Sequence, residues 1–231
     1  MAFDLRSRKI WLLAGGGALT AVALGLYLVS GGSGASEVAG DTEEDRLESV
    51  DRLARSDSRQ AGAALADAAA NDPSPTVRTR AIVSLMGRVG NKNLPQREKI
   101  REALEQQTKD GDPKVRQAAV AAVGLYRDQA AADCLIDVLR IEEHEAISIA
   151  ALHGLKDCPV PVAIVALVRE AEFGRTGRIK LEAMKGAFHK TGARLNRYDS
   201  PNDRDLWARR LHRLKSMHAI RDAFALAGVP L

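Results

Sequence analysis

Aromatic rings are scarce: four Phe, three Tyr and two Trp stand among 231 residues. A core without large rings must be filled by Ala and Leu, which suits small helices at close approach. Strand formers cluster nowhere, and Val and Ile fall mostly at helical spacing, which excludes a sheet protein. Cysteine is limited to Cys134 and Cys158, so at most one disulfide can form. On an antiparallel helix pair turning near Ile141 the two would sit roughly 15 Å out of axial register, at 1.5 Å per residue. That is too far for a bridge, and two unpaired thiols are expected. Enzyme signatures are missing as well. No G-x-S-x-G, P-loop, G-x-G-x-x-G or H-E-x-x-H pattern occurs, so a nucleophile elbow, a phosphate cradle and a helical zinc site have no carrier. The adjacent carboxylates Glu142 and Glu143 diverge on a helix and do not suit acid–base work. His153, His189, His212 and His218 show no metal-ligand spacing. No cofactor is expected.

What is present is repetition. The segment beginning at Asn71 (NDPSPTVRTRAIVSLMG) is echoed by the one beginning at Gly111 (GDPKVRQAAVAAVG). Val77-Arg78 and Val115-Arg116 recur 38 residues apart, Ala81 and Ala119 follow three residues after the Arg, and Pro73 and Pro113 each follow an Asp. Such a period marks a solenoid, in which each helix pair buries its apolar face only against its neighbours. Apolar spacing and breakers predict helices over 43–55, 58–71, 76–89, 96–108, 114–126, 129–139, 143–155, 162–172 and 178–190. Leu85, Val123, Leu152 and Met184 read as equivalent core positions. A last helix is expected from an N-cap at Ser200, with Pro201 first, to about Ala227. Its apolar face would carry Trp207, Leu211, Leu214, Met217, Ile220 and Phe224, making it the polar-backed cap that a solenoid end needs.

The run from Asp112 to Arg140 resembles a HEAT repeat, of the variety also found in phycobilin lyases. Pro113, Val115, Arg116, Ala119, Val123 and Gly124 carry the resemblance, with Pro73, Val77, Arg78, Ala81 and Leu85 in the first copy. It extends over roughly residues 43–195. The resemblance implies a right-handed all-α solenoid of about four helix pairs. It also implies that Asp72, Pro73, Arg78, Asp112, Pro113 and Arg116 build the inter-repeat turns, the Asp capping or bridging and the Arg tying neighbouring turns. Deoxyhypusine hydroxylase, a HEAT-type enzyme, holds iron with several His-Glu pairs at helix starts. Here one such pair occurs, His144-Glu145, and a metal needs three or more converging ligands.

Residues 10–29 are 20 uncharged, mostly apolar residues, enough to span a hydrocarbon core of roughly 30 Å. Arg6, Arg8 and Lys9 precede them and an acidic stretch follows. The positive-inside rule then leaves residues 1–9 in the cytoplasm and exports the solenoid. The competing reading is a signal peptide cleaved near Ala35, where Ser33-Gly34-Ala35 has the small-x-small form. Gly17, Ala21 and Gly25 recur every fourth residue and offer a dimer face between membrane helices. Residues 30–42 are a Gly/Ser-rich tether.

Charge is uneven. Residues 37–168 hold 17 basic and 22 acidic side chains, whereas residues 169–222 hold 14 basic and 7 acidic. The basic end, residues 196–231, offers Arg209, Arg210, Arg213 and Lys215 as a docking surface for an acidic partner. The sequence therefore reads as a single-pass, N-terminally anchored solenoid that binds an unidentified protein at the cell envelope and is not an enzyme. The alternatives are a lyase or hydroxylase on the same repeats, or binding of anionic lipid or nucleic acid through the basic end. Export argues against nucleic acid.

Overall fold

A computed structural model describes residues 38–91, 96–192 and 200–231. The apolar run 10–29, the Gly17–Ala21–Gly25 stripe and the site near Ala35 lie outside the described residues. Among the described residues, no helix is long and apolar enough to cross a membrane, and there are eleven helices and no strand. They are α1 (Glu43–Ala54), α2 (Arg59–Asn71), α3 (Pro75–Val89), α4 (Arg97–Gln107), α5 (Pro113–Gly124) and α6 (Gln129–Ile141). These are followed by α7 (Glu145–Asp157), α8 (Pro161–Phe173), α9 (Gly177–Lys190), α10 (Arg204–Ser216) and α11 (His218–Leu226).

The helices stack as a helical repeat solenoid in two layers. Each odd-numbered helix from α1 to α9 packs on the next odd one, and each is backed by an even-numbered partner. In the even layer α2 meets α4, α6 meets α8, and α8 meets α10 and α11, while α4 and α6 are held chiefly by Arg101 of α4 on Asp128, the N-cap of α6. The odd helices begin at residues 43, 75, 113, 145 and 177. The period is thus 32 residues, except for a step of 38 between α3 and α5.

This register corrects the sequence reading in two places. Pro75 and Pro113 each open a helix, at α3 and α5, where a missing N–H costs nothing. Pro73 therefore matches Gly111, not Pro113. Likewise Leu85 and Val123 share a column with Leu155, while Leu152 belongs with Ile82, Val120 and Met184. All of these are at most 1% exposed, so burial alone could not distinguish the columns. Each odd helix starts from a capping position: Thr42, Ser74, Asp112, His144 and Thr176. In four of these five a side-chain oxygen accepts from a first-turn amide, the chemistry that helix starts demand.

The C-terminal cap differs from the single helix expected. Asp203, not Ser200, is the N-cap of α10 and accepts from the Leu206 amide at 2.9 Å. The chain then breaks at Met217, whose ψ of 135° is extended. A straight helix from 204 to 226 would be roughly 34 Å long, against roughly 20 Å for α8 beneath it, at 1.5 Å per residue. The break folds Ile220 and Phe224 back onto α8, where both are buried. Trp207 fixes the other half of the cap: 6% exposed, it donates its indole N–H to the Ala171 carbonyl at 3.0 Å.

The odd layer is tightest where α5 meets α7. A Cβ on Gly124 would lie 2.9 Å from Gly154 Cα, and one on Gly154 would lie 2.7 Å from Leu135 Cδ1. At Gly124 the obstacle is backbone and cannot yield, whereas at Gly154 it includes the end of a leucine side chain. Gly124→Ala should therefore force α5 and α7 apart and cost about 1–3 kcal/mol. Gly87→Ala on α3, where a Cβ meets nothing within 4 Å, should instead stabilise by about 0.5–1 kcal/mol. Thermal midpoints that move in the same direction for both variants would refute the close-approach account.

Candidate interaction surfaces

A ladder of partly buried charge runs along one edge of the stack, apart from Arg97 and Arg101 of α4, which lie over the Tyr126 ring. The fourth residue of each of the first three odd helices is an arginine: Arg46, Arg78 and Arg116. Each reaches the acid of the following turn with two bonds. Arg46 donates to Asp72 at 2.9 and 3.3 Å. Arg78 donates to Asp110 at 2.8 and 2.9 Å, and Arg116 to Glu142 at 2.7 and 3.2 Å. The third nitrogen of Arg78 also holds the carbonyls of Asp72 and Pro73 at 2.9 and 3.2 Å. Arg116 repeats this on Asp110 and Gly111 at 2.9 and 3.1 Å. Only a planar five-donor fork can span an acid and two carbonyls at once. Each acid is completed by the backbone amide two residues on, from Ser74, Asp112 or His144.

The turn residues named from sequence thus divide by role. Asp72, Arg78 and Arg116 are members of the ladder. Pro73 lends it a carbonyl, Pro113 opens α5, and Asp112 caps α5 by accepting from the Lys114 amide at 2.7 Å. Asp110, Glu142 and Arg46 went unnamed. The signal for them was the 32-residue register, hidden by the step of 38 from α3 to α5.

The ladder stops at α7. Ser148 stands where the next arginine would be, and its buried hydroxyl has no hydrogen-bond partner. Gly174 stands where the next acid would be, and a Cβ there would lie 2.5 Å from the Glu170 carbonyl oxygen. Arg175 reaches backward instead, to the Leu139 carbonyl at 2.9 Å. At the opposite edge two cations cap helix C-termini, as the helix dipole favours. Arg88 holds the Leu53 carbonyl at 2.9 Å, and Lys190 holds that of Cys158.

Electrostatics at the turns follow from this geometry. Burial pushes the Asp110 carboxyl up, but the bonds from Arg78 and the Asp112 amide outweigh it, and the pKa is lowered. At Glu142 burial is likewise outweighed, by Arg116 and the His144 amide.

The basic end is less uniform than the sequence implies. Arg209 and Arg213 are exposed on α10 and Arg210 is half-buried. Lys215 pairs with Glu172 of α8 at 2.6 Å, so it fastens the cap as well as charging it. Cys134 and Cys158 are free thiols, and burial pushes both pKa values up. His144 is exposed at its N-cap position, in register with Ser74 and Asp112. No group of three or more His, Cys, Asp or Glu placed to hold a metal occurs among the described residues.

Residues 100–172 match the family model of HEAT repeats, a stretch running from within α4 to the end of α8. The match covers less than half of the chain. No curated protein matches the sequence.

Arg78→Ala should cost about 3–5 kcal/mol at neutral pH, because it strands a buried carboxylate. Denaturant midpoints read this directly. Arg80→Ala should barely move them, since Arg80 and its partner Asp51 are 54% and 37% exposed and such pairs are weak. A carboxyl lowered by folding gives stability that is fully present above its unfolded pKa, about 4, and is lost as pH falls through the folded value. The wild type should therefore lose stability below about pH 4. The gap to Arg78→Ala should narrow there, because a protonated Asp110 no longer needs the guanidinium. A gap independent of pH would rule out the ion pair as what Arg78 contributes.

Proposed function

We propose that this chain is a non-enzymatic scaffold, held at the cell envelope by residues 10–29, whose solenoid binds other proteins outside the cytoplasm. HEAT repeats commonly mediate protein–protein interaction, and residues 100–172 match that family model. The observation that carries the reading is the allocation of charge. The arginines and acids of the ladder are engaged with one another at the inter-repeat turns. The uncommitted chemistry lies on the surface, with Arg209 and Arg213 exposed on a helix locked in place by Trp207. A rigidly held basic face suits recognition of an acidic partner, because preorganised charge loses little entropy on binding.

The test is affinity capture of the full-length protein from its native membranes after mild crosslinking. Lys215 is left untouched, since replacing it would also release Glu172. A specific envelope protein should be recovered with the wild type and lost with Arg209→Glu/Arg213→Glu, while the thermal midpoint stays unchanged. Recovery indifferent to that change removes the basic end from the interface. If capture yields no specific partner, and the purified protein instead pellets salt-sensitively with anionic vesicles, the scaffold reading fails in favour of lipid binding.

A further inference from the structure

We propose that the gap between α4 and α6 is a second docking groove, one that accepts a cationic helical segment of a partner protein. The proposal rests on the scaffold reading and assigns the chemistry of one partner.

Even-layer neighbours elsewhere pack on one another, whereas α4 and α6 touch little beyond the bond from Arg101 of α4 to Asp128 at the start of α6, 2.6 Å long. The space left is a groove of about 650 Å³, whose walls include Glu102, Glu105, Asp133, Cys134, Asp137 and Ile141. Its apolar feature is Ile141, 63% exposed at the end of α6, beside buried Val138. A second hollow of about 360 Å³ opens on the other side of Ile141, toward Arg116 and His144. The two share Thr108, Lys109, Val138 and Ile141. The surface is therefore elongated, with an aliphatic ridge at its middle, and suits an extended or helical segment rather than a compact ligand.

Its walls bear four carboxylates against one ammonium, that of Lys109. The carboxylates are weakly engaged. Asp133 accepts from Gln129 and Asp137 from Arg140, both across exposed positions of the same helix. Contacts of that kind exchange readily for others. Glu105 is less well provided: one carboxylate oxygen is buried without a hydrogen-bond partner, and burial raises its pKa. The nearby Arg101 guanidinium only partly offsets that burial, and an incoming Lys or Arg would supply further donors. An aliphatic side chain on the same segment would cover Ile141. The groove and the Arg209–Arg213 face then have opposite polarity, and the scaffold bridges two unlike partners.

Cys134 reports on the groove directly, because it lies in the wall and its thiol is only half-buried. The probe is an alanine-based helical peptide of about 15 residues, roughly 22 Å long, with several lysines on one face and a single leucine. It is titrated against the full chain in zwitterionic detergent while the alkylation rate of Cys134 is followed, with buried Cys158 as internal reference. The peptide should slow alkylation at least fivefold at saturation, and the glutamate counterpart of the peptide should not. Glu102→Lys/Asp133→Lys, at two exposed positions, should abolish protection. Ala130→Trp should do so by bulk alone, which covers the case of a misfolded charge variant. Glu44→Lys/Glu48→Lys makes the same charge change on α1 and should leave protection intact.

Alkylation unaffected by the lysine peptide overturns the proposal. So does equal loss of protection in both lysine double variants, which would mean long-range attraction only. Self-association of the full chain that Arg209→Glu/Arg213→Glu abolishes would give the groove to a second copy and also overturn it. In the absence of self-association, protection that survives Arg209→Glu/Arg213→Glu supports the groove whatever the capture experiment shows, so the two readings fail separately.

Discussion

A guanidinium that must find its acid in the next turn is the constraint on which this stack depends. Helix pairs of Ala and Leu can slide over one another at little cost, since small side chains interlock shallowly. Arg46, Arg78 and Arg116 remove that freedom. Each grips the acid of the following turn with two donors, and the latter two also hold the carbonyls of their own turn. A shift of one helical residue would strand a charge in a partly buried place, which costs more than the sliding contacts could return. The close crossing of Gly124 and Gly154 depends on the same register. Two glycines can meet only if α5 and α7 are held at the matching height.

The fold was largely legible from spacing. Ten of the eleven helices were visible in outline, because breakers such as Pro75, Pro113 and Pro161 stand at their boundaries. What escaped was register. Matching Asp-Pro to Asp-Pro put Pro73 opposite Pro113 and so hid Asp110 and Glu142, which bear the same charge as Asp72 but lack a following proline. The step of 38 from α3 to α5 reinforced the error. The break at Met217 escaped for another reason. The apolar period runs through it without Gly or Pro, and only the shortness of α8 below makes a straight helix unprofitable.

The surfaces were legible only in part. Arg209 and Arg213 are exposed as their positions on the helix suggested, whereas Lys215 turns to Glu172, a partner 43 positions earlier that no local pattern announces. The gap between α4 and α6 left no trace in sequence. It lies behind the close crossing of α5 and α7, where Gly124 meets Gly154. Function at such a surface is set by what the repeats leave uncovered, and that is a property of packing, not of motif.

The uneven ladder has a mechanical consequence. The joints from α1 to α7 are latched by forked ion pairs, whereas the joint from α7 to α9 has Ser148 and Gly174 in place of the latch. Tension between the two ends of the stack would not be shared equally. The last joint is held by packing and by the exposed bonds of Glu145 with Thr176 and Arg178, which salt and solvent weaken before they reach the buried forks.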